Sequence, residues 1–244
     1  WGSPNGMAFD KARGPLPPAP ITNLFASCAL LRNADRLGHK QDPMLKPKTR
    51  IQERNSRAIL DAGLEVFAQQ GYRGATLDEI AVVAGLSKPN LLYYFPSKDA
   101  VYAAILSRQL ETWLDPLRMI DPAGDPVEEM LAYVRRKLEL SRDYPRESRL
   151  FANEVLQGAS RLLAGIEGPL KALVDEKAAV LQGWMDEGRI AKLHPVHLIF
   201  SIWSLTQHYA DFDVQVRAVL GTGHDPYDEA GAFLDHLFRR TLSV

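Results

Sequence analysis

The most restrictive feature of the sequence is a short helical segment enclosed by prolines. Residues 87–98 read SKPNLLYYFPSK. Ser87 is a favourable N-cap, Pro89 fits the first turn of a helix, and Pro96 prevents the helix from continuing. A helix of barely two turns is unstable alone, so part of its surface must pack against neighbouring elements. The apolar residues that can supply this packed side are Leu91, Leu92 and Phe95.

The segment before this short helix also has a helical pattern. Apolar residues recur at three- and four-residue spacing over 58–67, and Gly71 follows as a stop. Thr76 and Glu79 have the spacing of a capping box, and Gly85 ends the helix that they open. A capped helix, a glycine turn and a second helix with polar residues at its start are typical of a helix-turn-helix. A core hairpin with buried tyrosines is the alternative.

The outward side of the short helix and the segment before the first helix suit a polyanion. The side chains that remain outward are Lys88, Asn90, Tyr93 and Tyr94. A cluster of basic residues precedes these side chains in the sequence, and Glu53 is the only acidic residue within it. Its members are Lys46, Lys48, Arg50, Arg54 and Arg57. Basic groups beside hydrogen-bond donors and flat rings suit phosphates and base edges, although a solvated helix start would also explain the charge. The pattern predicts double-stranded DNA as a partner.

The stretch RAILDAGLEVFAQQGYRGATLDEIAVVAGLSKPNLLYYFPSKDAVYAAIL, residues 57–106, resembles the N-terminal DNA-binding domain of the TetR family of transcriptional regulators. The resemblance implies an all-α homodimer of about nine helices per chain. A three-helix helix-turn-helix domain would precede a larger helical domain for ligand binding and dimerisation. The residues that it places at operator DNA are Arg50, Arg57, Thr76, Ser87, Lys88, Pro89, Asn90, Leu91, Tyr93, Tyr94 and Lys98.

Three regions are predicted along the chain. Residues 1–45 are proline-rich and aperiodic, which indicates a flexible extension, and Met44 is a plausible natural start. Residues 46–96 form the predicted DNA-binding domain, and 97–244 the effector-binding and dimerisation domain. Cys28 is the single cysteine, and no apolar run is long enough to span a membrane, so we expect a cytoplasmic protein with no membrane contact.

The second domain is predicted to be helical throughout. One long helix should follow Ser97 and end or kink at Pro116, and further helices are expected at about 126–142, 145–157 and 168–188. Near the C-terminus an apolar stripe at three- and four-residue spacing consists of Ala230, Phe233, Leu234, Leu237, Phe238 and Thr241. A helix of a second subunit could cover this stripe, and packing within the chain is the alternative.

The segment HLIFSIWSLTQHYADF, residues 197–212, is apolar on every side for more than a turn, which predicts burial. Trp203, Gln207 and Asp211 lie at four-residue steps and share a face. An amide offers a donor beside an acceptor, which complements the lactam or imide edge of a pyrimidine such as uracil, and an indole could stack on that ring. The alternative is an amide that hydrogen-bonds to other helices.

The body also resembles a pyrimidine-responsive member of the TetR family, through stretches such as WLDPL, KLELSRDYP, SRLFANEVLQGA and IWSLTQHYADF. This resemblance implies uracil or thymine as the effector. The ligand-binding residues that it implies are Trp113, Asn153, Trp203, Gln207, Tyr209 and Asp211. A multidrug-type regulator with a broad aromatic pocket is the alternative.

An enzyme is the remaining alternative, and the sequence contains few residues that would support catalysis. His194 and His197 could ligate a metal, but no carboxylate motif accompanies them. The sequence has neither a glycine-rich phosphate loop nor a nucleophile elbow. We therefore predict a regulator that has no catalytic residues, metal or cofactor.

Overall fold

The computed structural model of the protein describes residues 49–221 and 223–244, and this part is helical with no strand. The helices are α1 (Arg50–Gly74), α2 (Leu77–Val83), α3 (Lys88–Tyr94), α4 (Lys98–Arg118), α5 (Pro126–Asp143), α6 (Pro145–Leu156), α7 (Lys171–Asp186), α8 (Pro195–Asp211), α9 (Asp213–Leu220) and α10 (Tyr227–Leu242). A short turn (Leu163–Gly165) and a π-helical turn (Ile166–Leu170) precede α7. The all-α prediction is confirmed; α9 was not anticipated. The predicted extension 1–45, together with Lys46 and Lys48, lies outside the described residues.

The first helices begin and end where local chemistry dictates. Thr76 accepts a hydrogen bond from the backbone N–H of Glu79, whose carboxylate accepts one in return from the N–H of Thr76, at 3.2 and 3.0 Å. Ser87 caps α3 by accepting from the N–H of Asn90 at 3.3 Å. Gly71 interrupts α1 with a φ of 69°, a left-handed conformation that favours glycine, and the chain makes one more turn before Ala75.

One prediction about α3 is wrong. Leu92 is 38% exposed and therefore does not anchor α3; Leu91 and Phe95 do, at 0% and 3% exposed. The cause is helical phase, because residue 92 lies about 100° away from residue 91 around the helix axis. Further along the chain, α4 ends at Arg118, two residues after Pro116, where an end or kink was expected. A proline this close to a helix end removes only one internal hydrogen bond.

The four N-terminal helices share a hydrophobic core with part of the body. Buried apolar side chains of α1 to α4 form one cluster with Leu150 of α6 and Leu162 beyond it. At Gly63, α1 and α4 approach so closely that an added Cβ would lie 2.9 Å from Cγ1 of Val101 and 3.0 Å from Cδ1 of Ile105. The absence of a side chain at this position therefore sets the spacing between α1 and α4.

A polar cluster joins the end of α1 to the segment that follows α6. The guanidinium of Arg161 lies 4.0 Å from the ring centroid of Tyr72 and donates to the carboxylate of Asp99 at 2.9 Å. It also donates at 3.3 Å to Glu154, which is only 4% exposed. The Arg161 backbone N–H donates to Glu154 as well, at 3.1 Å. Arg161 thus connects the DNA-binding helices to α6.

The second cluster forms the core of the body and covers part of the C-terminal stripe. Ala230, Leu234 and Phe238 of α10 are buried in it, so packing within the chain explains these three. Phe233 remains exposed. The expectation that α8 is buried on every side is wrong, because its outer face is exposed. The exposed members of that face are His197, Phe200, Ser201, Ser204 and His208.

Candidate DNA-binding surface and effector pocket

The start of α3 presents an exposed polar surface. Ser87, Lys88, Pro89 and Asn90 are all exposed, and Tyr93 is 71% exposed. The ammonium of Lys88 lies 2.8 Å from the carboxylate of Asp78 on α2. Both groups are largely in solvent, so this ion pair contributes little and a phosphate could replace it.

The tyrosines of α3 connect this surface to the basic start of α1. The hydroxyl of Tyr93 accepts from the amide of Gln52 at 3.3 Å, and that of Tyr94 accepts from Asn55 at 3.0 Å. Sequence reasoning missed Gln52 and Asn55, which lie among the predicted basic residues without contributing charge. These bonds place α1 next to α3, so their exposed side chains can contact one DNA duplex together.

The charges at the start of α1 are available for phosphates. Arg50, Arg54 and Arg57 are exposed, and none of them forms an ion pair with a residue in the described ranges. Thr76 is also exposed, although its hydroxyl donates to the carboxylate of Glu79 at 2.8 Å. The predicted phosphate contacts of Arg50, Arg57 and Thr76 remain predictions.

Two predicted DNA contacts have other roles in the structure. The side chain of Leu91 is fully buried, so it positions α3 and has no surface to offer to DNA. The ammonium of Lys98 donates to the backbone carbonyls of Tyr72 and Ala75, both at 2.8 Å. These acceptors lie at the C-terminal end of α1, where a cation is favoured. Lys98 is therefore a structural cap for α1 rather than a free phosphate contact.

The salt dependence of operator binding should report the role of Arg57. Arg57→Ala is expected to lower the slope of log K against log salt concentration by about one unit, because one phosphate contact releases about one counterion. The measurement is fluorescence anisotropy with the DNA that flanks the gene, at several salt concentrations. Lys192→Ala removes an exposed cation of the body and should leave the slope unchanged. Equal slopes for Arg57→Ala and the wild type would remove Arg57 from the interface.

The row predicted on α8 lies at the edge of the body core. Trp203, Gln207 and Asp211 are each partly buried, and Trp203 donates through its indole N–H to the hydroxyl of Tyr133 on α5 at 2.6 Å. The Asp211 carboxylate accepts from the hydroxyl of Ser148 on α6 at 2.5 Å. Gln207 lies between these two contacts and makes no hydrogen bond to a residue that the structure describes. Its amide is therefore available to a ligand.

A buried lysine near this row was missed by the sequence analysis. Lys137 of α5 is 2% exposed, and its ammonium lies 4.9 Å from the ring centroid of Trp113 on α4. Burial lowers the pKa of Lys137 to about 7, against the opposing attraction of Asp211. Burial also raises the pKa of Asp211, with Ser148 and Lys137 acting in the other direction. Trp113 of α4 and Asp211 of α8 therefore both lie near Lys137.

The periodicity of α5 could have revealed Lys137. Met130 and Val134 are buried, and Lys137 follows them at the next position of the same apolar face. Its neighbours Arg135 and Arg136 made it look like part of a solvated run. Gln109 was missed for a similar reason, since it lies one turn before Trp113 on the buried side of α4.

Two predicted ligand residues, Asn153 and Tyr209, make no hydrogen bond or ring contact with these side chains among the described residues, and both remain predictions. The ring of Tyr209 packs 6.0 Å from that of Tyr227, and a helix places residue 209 about 200° away from residue 207. Asn153 is exposed on α6 and makes no hydrogen bond within the described residues. The structure brings Trp113 close to Lys137 and places Lys137 near Asp211, which shares a face of α8 with Trp203 and Gln207.

The stability of the protein should depend on pH through Lys137. The folded-state pKa of about 7 lies below the ordinary lysine value of 10.5, so between these two pH values the unfolded chain binds more protons and stability rises with pH. Below pH 7 the Lys137 ammonium is charged in both the folded and the unfolded state, so the folded protein bears the full free-energy cost of burying that charge. Lys137→Met is therefore expected to be more stable than the wild type at pH 6, by about 1–4 kcal/mol, and this gain should shrink by pH 10. Urea unfolding of both proteins across this range tests it; a constant difference would contradict it.

The histidine pair does not resemble a metal site. Nδ1 of His194 caps α8 by accepting from the backbone N–H of His197, at 3.5 Å. In residues 49–221 and 223–244, no group of three or more His, Cys, Asp or Glu residues could hold a metal ion. The capping contact accounts for His194 at this position.

Comparisons with known proteins agree with this architecture. Residues 59–105 match the model of bacterial regulatory proteins of the tetR family, and residues 106–244 match that of the YcdC-like protein, C-terminal region. The HTH-type transcriptional regulator RutR of Escherichia coli K12 is 50% identical over 174 residues, which cover 71% of this chain and 82% of that protein.

Solved structures show the same fold. SCO4942 from Streptomyces coelicolor has a TM-score of 0.63 at 24% identity, covering 77% of this chain and 98% of that one. AibR, solved in complex with isovaleryl coenzyme A and operator DNA, has a TM-score of 0.57 at 19% identity, covering 75% of this chain and 97% of that one.

The fold and the exposed α3 surface define a helix-turn-helix transcriptional regulator. More specifically, the chain belongs to the TetR family, with a YcdC-like C-terminal region. Members of this family regulate transcription by binding operator DNA and small-molecule effectors and are not enzymes, so the prediction of a regulator is confirmed. Within the described part of the chain, no helix is long and apolar enough to cross a membrane.

Proposed function

We propose that the protein is a homodimeric repressor of pyrimidine-utilisation genes that leaves its operator when uracil or thymine binds. The observation that carries this proposal is the unpartnered amide of Gln207, held between Trp203 and Asp211. The amide complements the lactam edge of a pyrimidine, and the nearby indoles offer flat surfaces for its ring. The resemblance of the body to a pyrimidine-responsive member of the family supports the same ligand class, and RutR is 50% identical to this chain over 174 residues.

The proposed division of labour assigns residues 46–96 to operator binding and 97–244 to effector binding and dimerisation. Phe200 of α8 and Phe233 of α10 are exposed large apolar side chains, which a second subunit would cover. In the dimer, two α3 helices would enter successive major grooves about 34 Å apart. The site of action would be the cytoplasm, where the operator lies.

Ligand and operator would oppose each other through the body. An effector between α4 and α8 would favour a different position of α4 and therefore of α3. Coupling free energies between sites are typically about 1–3 kcal/mol, and operator DNA must weaken effector binding by the same factor.

Release of operator DNA in an anisotropy titration tests the proposal. Micromolar uracil or thymine should release the DNA at fixed salt, and cytosine should not. Gln207→Leu is expected to abolish the response while DNA affinity stays within about twofold, because Gln207 is distant in sequence and structure from α3. Gln182→Leu makes the same change on the exposed side of α7 and should behave like the wild type.

Two results would contradict the proposed effector. If no pyrimidine releases the DNA, the protein is a regulator with another ligand, such as the broad set of a multidrug-type pocket. If Gln207→Leu loses DNA binding itself, the amide has a structural role.

A further inference from the structure

Two buried hydrogen-bond donors of α4 have no partner among the residues that the structure describes. Nε2 of Gln109 and Nε1 of Trp113 are both buried without an acceptor, and each side chain is only 6% exposed. The two residues are four apart, so they lie on the same face of α4. Buried donors are rarely left unpaired, because each costs free energy comparable to a lost hydrogen bond. Two of them on one face indicate that an acceptor comes from outside the described part of the chain.

A third donor lies beside them. The ammonium of Lys137 is close to the ring of Trp113 and makes no hydrogen bond or ion pair with a residue in the described ranges. Trp113 belongs to neither hydrophobic cluster formed by the described residues, although it is buried. Donors from α4 and α5 therefore lie close together in a region that belongs to neither hydrophobic core.

We propose that Gln109, Trp113 and Lys137, here called the donor wall, bind a carbonyl oxygen of the effector. We also infer that the wall requires an acceptor atom on the heterocycle, a requirement that Gln207 alone does not impose. This inference rests on the proposed function, because it assumes a pyrimidine that approaches Gln207 from α8. It adds the hydrogen-bond donors that would contact the side of the ligand opposite Gln207.

The reason lies in what each group can donate or accept. A glutamine amide carries both a donor and an acceptor and can turn over, so Gln207 can pair with the lactam edge of uracil or with the amidine edge of cytosine. An indole N–H only donates, and so does an ammonium. A carbonyl at the wall is therefore bound. Cytosine can satisfy the wall only through its single carbonyl, because its amino group would meet other donors. Uracil and thymine have two carbonyls and so always present one.

Binding of thio-substituted pyrimidines to the purified full chain tests the wall. Isothermal titration calorimetry would compare uracil, 2-thiouracil and 4-thiouracil, because sulfur is a weak acceptor. In the wild type, the thiouracil whose sulfur faces the wall should bind about tenfold more weakly than uracil, the equivalent of one hydrogen bond. In Trp113→Phe, which keeps an aromatic ring but removes the N–H, uracil should weaken about tenfold and the difference from that thiouracil should fall to about twofold or less.

The variants distinguish the possible failures. If Trp113→Phe weakens all three ligands equally, Trp113 only stacks on the ligand and the wall is overturned. If water satisfies the buried donors, Trp113→Phe leaves uracil affinity unchanged, which also overturns it. If the wild type binds no pyrimidine, the proposed effector fails and this inference with it. If circular dichroism shows that Trp113→Phe does not fold, Lys137→Met at pH 6 replaces it. The ratio of the affinities for uracil and for the thiouracil whose sulfur faces the wall then tests the wall in the same way.

Discussion

Replacing Leu91 with alanine is expected to abolish specific operator binding and to lower the free energy of unfolding by about 3 kcal/mol. The α3 helix has seven residues, and its packing depends on Leu91 and Phe95, which are 0% and 3% exposed. Loss of the Leu91 side chain leaves a cavity under a helix that has no stability of its own. Urea unfolding and anisotropy with operator DNA measure the two effects.

Leu92 provides a matched control on the same helix. It is the next residue, of the same type, and is partly exposed. Leu92→Ala should change the free energy of unfolding by less than about 1 kcal/mol, because little apolar surface is buried there. Equal destabilisation by the two substitutions would show that burial of Leu91 does not hold α3 in place.

The second large effect is expected for Arg161→Met. Without the guanidinium, the buried carboxylate of Glu154 loses its ion pair and Tyr72 loses its stacking partner. Breaking a buried pair by removing one partner typically costs about 3–5 kcal/mol, and we expect about 3 kcal/mol because Arg161 is partly in solvent. The measurement is the free energy of unfolding in urea. Operator affinity should fall too, because Arg161 links α6 to the end of α1.

A double variant separates these causes. Glu154→Gln removes the stranded charge, so Glu154→Gln combined with Arg161→Met should recover more than half of the lost stability. Arg189→Met is the matched control, since Arg189 also lies near an aromatic ring, that of Trp184, but at 5.9 Å and away from this junction. It should cost less than about 1 kcal/mol. Failure of the double variant to recover stability would show that the stranded carboxylate is not the cause.

The sequence predicted the features that depend on neighbouring residues. The capping box at Thr76, the cap at Ser87 and the turn at Gly85 need only a few adjacent side chains, and all three are present. Long-range contacts were less predictable. Lys98 looked like a phosphate ligand because the sequence does not show that the carbonyls of Tyr72 and Ala75 lie within its reach.

The proposed effector site was predicted from one side only. Trp203, Gln207 and Asp211 share a face through local helical spacing, which the sequence shows directly. Their partners come from other helices, such as Tyr133 for Trp203 and Ser148 for Asp211. Such pairings depend on how α5, α6 and α8 pack.

The close contact at Gly63 has a mechanical consequence. Since α1 has no room to slide over Val101 and Ile105, the DNA-binding helices and the first half of α4 should turn together as one lever. Trp113 lies fifteen residues beyond Lys98, about 22 Å along the helix at 1.5 Å per residue, so a tilt of roughly 5° at the pocket displaces the far end by about 2 Å. A hydrogen bond tolerates only a few tenths of an ångström of misplacement. If the effector is the single-ring pyrimidine proposed above, the length of α4 would amplify its small displacement enough to disengage a protein many times its size.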